Sequence, residues 1–286
     1  MYQIIFNPTA GNKKSQKSLS VLETLFKERG ISYAVHTTAG ARDAETIARR
    51  LSEQGEREFI VVGGDGTLHE TLNGLVDPSV CTLGLIPSGT GNDFADRMEI
   101  PMKTEDAVLR ILKGETKAVD YMEVSGTRCM NVAGLGIDVD VLERCQQGKL
   151  RGKLKYLMSL IKSLFAFKGC KLHFESEEKT QTHEALICAV CNGSKFGGGI
   201  KICPIADPTD GKLEVIVVDQ IGGTWKIVKA FIQLMKGKVL EYPLTTHFKT
   251  EHIRVTTEKP APIQLDGELY FNHEFDVKIC KGLRFL

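Results

Sequence analysis

The stretch Phe59-Ile-Val-Val-Gly-Gly-Asp-Gly-Thr-Leu-His-Glu70 restricts the fold more than any other part of the chain. An apolar run of strand length enters Gly63-Gly64-Asp65-Gly66, and Thr67 with Glu70 three residues later has the spacing of a capping box that opens a helix. A strand that turns on glycines straight into a helix is the unit from which parallel sheets are built, because parallel neighbours need a crossover. The layout recurs at Ile4-Ile-Phe-Asn7-Pro8-Thr9-Ala10-Gly11 and at Leu85-Ile-Pro-Ser-Gly89-Thr90-Gly-Asn92-Asp93, where Asn92 or Asp93 is placed to cap the next helix. Parallel strands bring their C-terminal loops to one edge, where α/β folds bind ligands. Unpaired N–H groups at such loops hold phosphate. Neither GxxxxGK[ST] nor a third fingerprint glycine occurs, so any nucleotide is held differently from P-loop or Rossmann proteins. Asp65 beside a phosphate is repulsive unless Mg²⁺ intervenes or the carboxylate accepts hydrogen bonds.

The rest of the first 120 residues fits the same pattern. Strands are expected at Gln3–Phe6, Tyr33–Thr37, Glu58–Val62 and Thr82–Ile86, and helices at Ser15–Arg29, Ala41–Glu53, Leu68–Leu75 and Lys103–Lys113. This is an α/β domain, a parallel sheet flanked by helices, over 1–120. Beyond about Ala118 the texture becomes β-runs and turns: Val119–Ser125, Arg128–Ala133, Lys171–Ser176, His183–Cys191, Lys212–Asp219, His252–Thr257, Pro262–Leu265 and Phe275–Cys280. A β-sandwich-like domain with helical insertions is expected over 121–286. The insertions are Lys153–Lys168, with Leu154, Leu157, Met158, Ile161 and Phe165 at helical spacing, and Thr224–Lys238, with Ile227, Val228, Phe231, Leu234 and Met235 on one side. From Arg144 to Lys171 there are eight basic residues and no acid. Packing on the sandwich and contact with a membrane both fit these helices.

At 286 residues the chain has length for two cores, and 37 basic against 36 acidic residues deny it the footprint of a general nucleic-acid binder. No spanning helix and no secretory signal are apparent, and the eight cysteines lie mostly in apolar, strand-like contexts, as reduced core thiols do. The expected location is cytoplasmic. Cys188-Ala-Val-Cys191 has CxxC spacing but no second Cys/His pair, and reads as core strand.

Asn7-Pro-x-x-Gly11, Gly63-Gly-Asp-Gly-Thr67, Gly89-Thr-Gly-Asn-Asp-Phe-Ala95 and Leu265-Asp-Gly-Glu268, in this order, resemble the motif set of the bacterial diacylglycerol kinase-like lipid kinases, relatives of eukaryotic diacylglycerol and sphingosine kinases. The resemblance implies an α/β nucleotide-binding domain and a β-sandwich domain with the active site in the cleft. It implies that Asn7, Pro8, Thr9, Ala10, Gly11, Thr38, Gly64, Asp65, Gly66, Thr67, Leu68, His69, Glu70 and Thr90 line an ATP site. Glu268 matches the family's catalytic base, with Asp65 orienting metal or nucleotide. In Pro204-Ile-Ala-Asp-Pro-Thr-Asp-Gly-Lys212, Asp207 and Asp210 with the carbonyl of Lys212 match a Mg²⁺ loop; an ordinary Asp-Gly turn is the other reading. One departure is Asp96 before Arg97, where the family usually has Arg after Ala.

The activity so implied is Mg²⁺-dependent transfer of the γ-phosphate of ATP to a lipid alcohol such as diacylglycerol. The expected partners are that lipid, the inner face of the membrane as a peripheral surface, and a second copy of the chain; nucleic acid is not among them. Two alternatives stand beside it: a kinase for a soluble acceptor such as NAD, disfavoured because no Asn is followed by Glu, and a non-catalytic nucleotide-binding module.

Overall fold

The structure, a computed structural model, describes residues 1–147, 152–177, 179–220, 222–271 and 274–286, without the side chains of 146, 147, 152–157 and 224. The chain divides into two compact units, 1–120 with 281–286, and 121–280.

The first unit alternates β1 (Tyr2–Phe6), α1 (Lys14–Glu28), β2 (Tyr33–Thr37), α2 (Asp43–Glu53), β3 (Glu58–Gly63), α3 (Asp65–Gly74), β4 (Thr82–Pro87), α4 (Asp93–Arg97) and α5 (Thr104–Lys113). The pairs among β1 to β4 are parallel: Ile4 lies opposite Val35 on one side and Ile60 on the other, and Val61 lies opposite Leu85. The order β2-β1-β3-β4 reverses direction between β1 and β3, which opens a crevice at their C-terminal ends. Every residue of β4 is buried, as expected of a parallel strand covered on both faces. The helices bury one stripe each: Ala44, Ile47, Ala48 and Leu51 on α2, Ala107, Val108 and Ile111 on α5. Phe26 of α1 lies between Tyr2 and Tyr33, with ring centroids 5.6 and 5.7 Å away. Gly74 lets α3 press on α2, since a Cβ there would stand 2.2 Å from the Glu45 carbonyl oxygen.

The second unit comprises β5 (Lys117–Val124, which starts in the first unit), β6 (Thr127–Cys129), β7 (Val132–Gly136), α6 (Ile137–Gln147), α7 (Gly152–Ala166), β8 (Cys170–Ser176), β9 (Thr180–Cys191), β10 (Leu213–Asp219), α8 (Thr224–Met235), β11 (Thr245–Thr250), β12 (His252–Thr257), β13 (Ile263–Leu265), β14 (Glu268–Tyr270) and β15 (Phe275–Phe285). The early half of β9 pairs with β8, and its later half lies between β7 and β10. Alternation then sorts the side chains. Cys188, Val190, Val215 and Val217 join the sandwich interior with Phe174, Phe248 and Val255. Ala189, Cys191, Ile216 and Val218 face a second core roofed by α6, α7 and α8. The two CxxC cysteines therefore belong to different cores, and all eight thiols are free.

Several elements differ from the sequence reading. The 137–147 segment is helical, and β11 and β14 are additional strands. On α7 the buried positions include Ser159, Leu160, Ser163 and Leu164, while Met158 and Phe165 are 40% and 55% exposed, so the apolar stripe points partly outward. On α8, Ile227, Phe231 and Leu234 pack inward, but Met235 is exposed with Ile232 and Trp225. In the basic stretch, Lys149 and Arg151 lie outside the described residues, as do the side chains of Lys153 and Lys155. Arg144 pairs with Asp140 at 2.6 Å and Lys171 with Glu258 at 2.6 Å. The last six residues return to the first unit, where Arg284 and Phe285 pair in parallel with Thr82 and Leu83 of β4. Among the described residues no helix is long and apolar enough to cross a membrane.

Candidate active site

The three glycine loops of the first unit meet at atomic contact. Gly11, at φ +58°, has no room for a Cβ, which would lie 2.0 Å from the Ser88 carbonyl oxygen. Gly64 and Gly89 touch backbone to backbone, and a Cβ on Gly89 would stand 2.5 Å from the Gly64 Cα. Asn7 joins two loops: its Nδ2 donates to Thr67 Oγ1 at 3.0 Å, while its Oδ1 accepts from the Thr9 amide at 3.0 Å and the Thr9 hydroxyl at 2.9 Å. The Phe94 amide donates to Asp65 Oδ1 at 3.4 Å, so the first turn of α3 is tied to the first turn of α4. Thr38, 8% exposed, follows β2, its amide donating to the Phe6 carbonyl at 2.8 Å. Pro8, Thr9 and Ala10 carry the first loop, Gly66 sits in the opening turn of α3, and Thr90 is exposed.

Two local expectations are corrected. Gly64, not Thr67, is the N-cap of α3, and no side chain caps that helix. Thr67 already lies inside the first turn, and Glu70 reaches across to α2, accepting from the Arg42 amide at 2.9 Å and the Ala44 amide at 3.2 Å. Asn92 does occupy the N-cap position of α4, at φ +55°, but its side chain makes no capping hydrogen bond; it folds back on Gly89, accepting from its amide at 2.9 Å and donating to its carbonyl at 3.0 Å. Leu68 and His69 are 1% and 3% exposed. Leu68, His69 and Glu70 thus build the helix that carries the loop.

In the second unit Glu268 follows a two-residue hairpin turn. Asp266 and Gly267 have φ of +52° and +92°, and Leu265 lies opposite Glu268, the pattern of an Asp-Gly turn between antiparallel strands. Asp266 anchors the turn, its carboxylate accepting from the amides of Met130 (2.7 Å), Asn131 (2.8 Å) and Val132 (3.2 Å). Gln264, 2% exposed, links this turn to a buried acid: its Oε1 accepts from the Gly267 amide at 2.9 Å and its Nε2 donates to Asp138 Oδ2 at 3.2 Å. Glu268 itself is exposed.

Asp138 closes one side of an apolar cavity lined by Ile137, Leu160, Leu164, Leu186, Ile187, Phe196, Ile202, Val218, Ala230, Phe231, Leu234, Val239 and Tyr242. It is 2% exposed, and its Oδ1 has no hydrogen-bond partner. Burial raises its pKa to about 7, against the hydrogen bond from Gln264, so the carboxyl is largely protonated in mildly acidic solution. Nothing in the sequence singles Asp138 out from Asp140, which pairs with Arg144 on the same helix.

The Asp207–Lys212 loop does not fit a divalent cation. Asp207 Oδ1 accepts from the Thr209 amide and hydroxyl at 3.1 and 2.7 Å, and Asp210 Oδ1 from the Lys212 amide at 3.0 Å. Asp210 Oδ2 accepts from the ammonium of Lys249 at 2.7 Å. Among the described residues no group of three or more His, Cys, Asp or Glu side chains is arranged to hold a metal.

Three glycine loops in contact at the ends of parallel strands in one unit, and an exposed carboxylate after a hairpin turn in the other, are the make-up of a phosphotransferase with an alcohol acceptor, the class to which the relatives below belong. Residues 1–124 match the diacylglycerol kinase catalytic domain, and residues 131–280 match the YegS C-terminal NAD kinase beta sandwich-like domain. The chain belongs to this diacylglycerol kinase-like family of lipid kinases. It is 28% identical to a diacylglycerol kinase of Bacillus subtilis (strain 168), over 93% of this chain and 89% of the relative. It is 26% identical to a diacylglycerol kinase of Staphylococcus saprophyticus, over 93% and 88%. A crystal structure of a diacylglycerol kinase from Bacillus anthracis shares the fold, with a TM-score of 0.80, 24% identity and coverage of 99% and 96%.

Proposed function

We propose that this kinase transfers the γ-phosphoryl group of Mg-ATP to the hydroxyl of a glycerolipid of the diacylglycerol class. The observation that carries this reading is the contact of the Gly11, Gly64 and Gly89 loops, with Asp65 tied to the start of α4 beside them; the apolar cavity next to Asp138 holds about 40 Å³ and would have to widen to admit an acyl chain. The loops of Asn7–Gly11, Thr38, Gly64–Thr67 and Thr90 hold the nucleotide, with Leu68, His69 and Glu70 supporting them from within α3, and Asp65 orients it, with Mg²⁺ entering as part of the substrate. Glu268 accepts the hydroxyl proton. The lipid oxygen then bonds to the γ-phosphorus as the bond from that phosphorus to the bridging oxygen breaks and ADP leaves.

The outward faces of α7 and α8 support delivery of the lipid from a bilayer. They expose Met158, Phe165, Trp225 (85%), Ile232 and Met235, with Lys162, Lys226 and Lys229 exposed on the same helices. The inner faces of those helices contribute Leu160, Leu164, Ala230, Phe231 and Leu234 to the cavity. An anionic membrane surface of a cytoplasmic leaflet matches this mixture. The testing experiment is a radiolabelled-ATP screen over diacylglycerol, phosphatidylglycerol and sphingoid bases in mixed micelles, with NAD as the soluble acceptor. Labelled phosphatidic acid is the expected product; label on NAD alone would overturn the reading.

A further inference from the structure

We propose that Lys249 supplies to the Asp207–Lys212 loop the positive charge that the resemblance to lipid kinases assigns to Mg²⁺, so that this loop keeps its fold without a divalent cation. The register of two strands places the lysine. Glu214 on β10 and Lys249 on β11 are direct cross-strand partners, and the ammonium stands 3.0 Å from Glu214 Oε1. From there it reaches Asp210 Oδ2 at 2.7 Å. Glu214 is 1% exposed, and a carboxylate so buried requires charged or hydrogen-bonding partners. Lys249 provides one, and His247, two residues earlier on β11, provides the other at 2.5 Å from Oε2. Lys249 is thus held between two carboxylates, one buried and one on the loop.

A divalent cation entering the loop would have to take Asp210 from this ammonium and then tolerate it a few ångströms away. Mg²⁺ also demands about six oxygen ligands in near-octahedral array. The loop has committed Asp207 Oδ1 to Thr209 and Asp210 Oδ1 to the Lys212 amide, and the Lys212 ammonium is itself paired with Glu251 at 2.9 Å. A tethered ammonium needs no such array and is present at a fixed local concentration.

The test uses the full chain without nucleotide. Mn²⁺ binding is followed by electron paramagnetic resonance, and the thermal midpoint is read in EDTA and in MgCl₂. The expected wild-type result is no Mn²⁺ site on this loop tighter than about 1 mM, and the same midpoint in both solutions. Lys249→Met is expected to melt lower in EDTA, to recover in MgCl₂, and to gain a Mn²⁺ site that adding Asp210→Asn removes. A wild-type Mn²⁺ site of micromolar affinity that Asp210→Asn abolishes would overturn the proposal, as would a folded Lys249→Met that gains nothing from MgCl₂. A wild-type site untouched by Asp210→Asn lies elsewhere and agrees with it. The wild-type titration decides the matter even where Lys249→Met does not fold.

Discussion

Asp65 and Glu268 have separate parts in the proposed transfer and Asp138 bears on stability, so each carries its own expectation. Glu268→Gln keeps the size of the side chain and removes the proton acceptor, so kcat should fall by about 10²- to 10⁴-fold while Mg-ATP affinity in calorimetry stays near wild type. Asp65→Asn should instead weaken Mg-ATP binding, because the proposed mechanism gives Asp65, at the start of α3, the orientation of the nucleotide. Equal loss of affinity in both variants would contradict this separation. Asp138 makes a statement about stability. Its folded pKa is raised to about 7 from an ordinary 3.8, so the native state binds the proton that the unfolded chain releases. Stability should therefore be greatest below about pH 4 as far as this group is concerned, and fall as pH rises towards 7, by a few kcal/mol at most. Asp138→Asn should flatten that slope in urea unfolding measured from pH 5 to 8. Asp65 and Glu268 stand out in the sequence as candidates because each sits in a motif; Asp138 does not, because burial of one of two acids in a helix start leaves no trace in their spacing.

Helices α7 and α8 show why periodicity finds an element yet misplaces its face. Their existence follows from the 3.6-residue recurrence of apolar side chains, but a helix with apolar residues on two sides does not announce which side is covered. On α7 serines at 159 and 163 are buried while Phe165 is outside. The caps differ for a related reason: Asn92 stands at the N-cap of α4 as its chemistry suggests and Thr67 falls inside α3, but the close approach of Gly64 to Gly89 and the bond from Asn7 recruit both side chains for holding loops together. If the outward faces dock on lipid, replacing Lys162, Lys226 and Lys229 by Gln should cost roughly 3 kcal/mol of affinity for anionic vesicles, at about 1 kcal/mol per lysine. Activity on vesicle-borne lipid should fall and lose salt sensitivity, whereas activity on a short-chain, water-soluble analogue should hold. Parallel loss of both activities would assign these lysines a structural role.

For the whole molecule, the change of texture near residue 120 was legible, but the return of the last six residues was not, because Leu283 to Leu286 is too short a run to reveal its partner. Leu283 and Phe285 are 0% and 1% exposed, and the Phe285 ring packs edge-on against Phe94 at 5.4 Å. Phe94 is the residue whose amide meets Asp65. Removing 281–286 should therefore lower the thermal midpoint and weaken ATP binding in calorimetry, since loss of one buried Phe alone costs about 3–5 kcal/mol; normal nucleotide affinity in the truncated protein would refute this link. The same feature fixes an order of events during synthesis. The ribosome finishes β4 long before it makes residues 281–286, so the nascent nucleotide unit waits with one strand edge unpaired while all of 121–280 emerges. An open edge of that kind invites pairing with other chains. Translation speed and chaperone occupancy across the sandwich-coding part of the message should consequently govern the yield of soluble kinase more strongly than the same changes made over its first 120 codons.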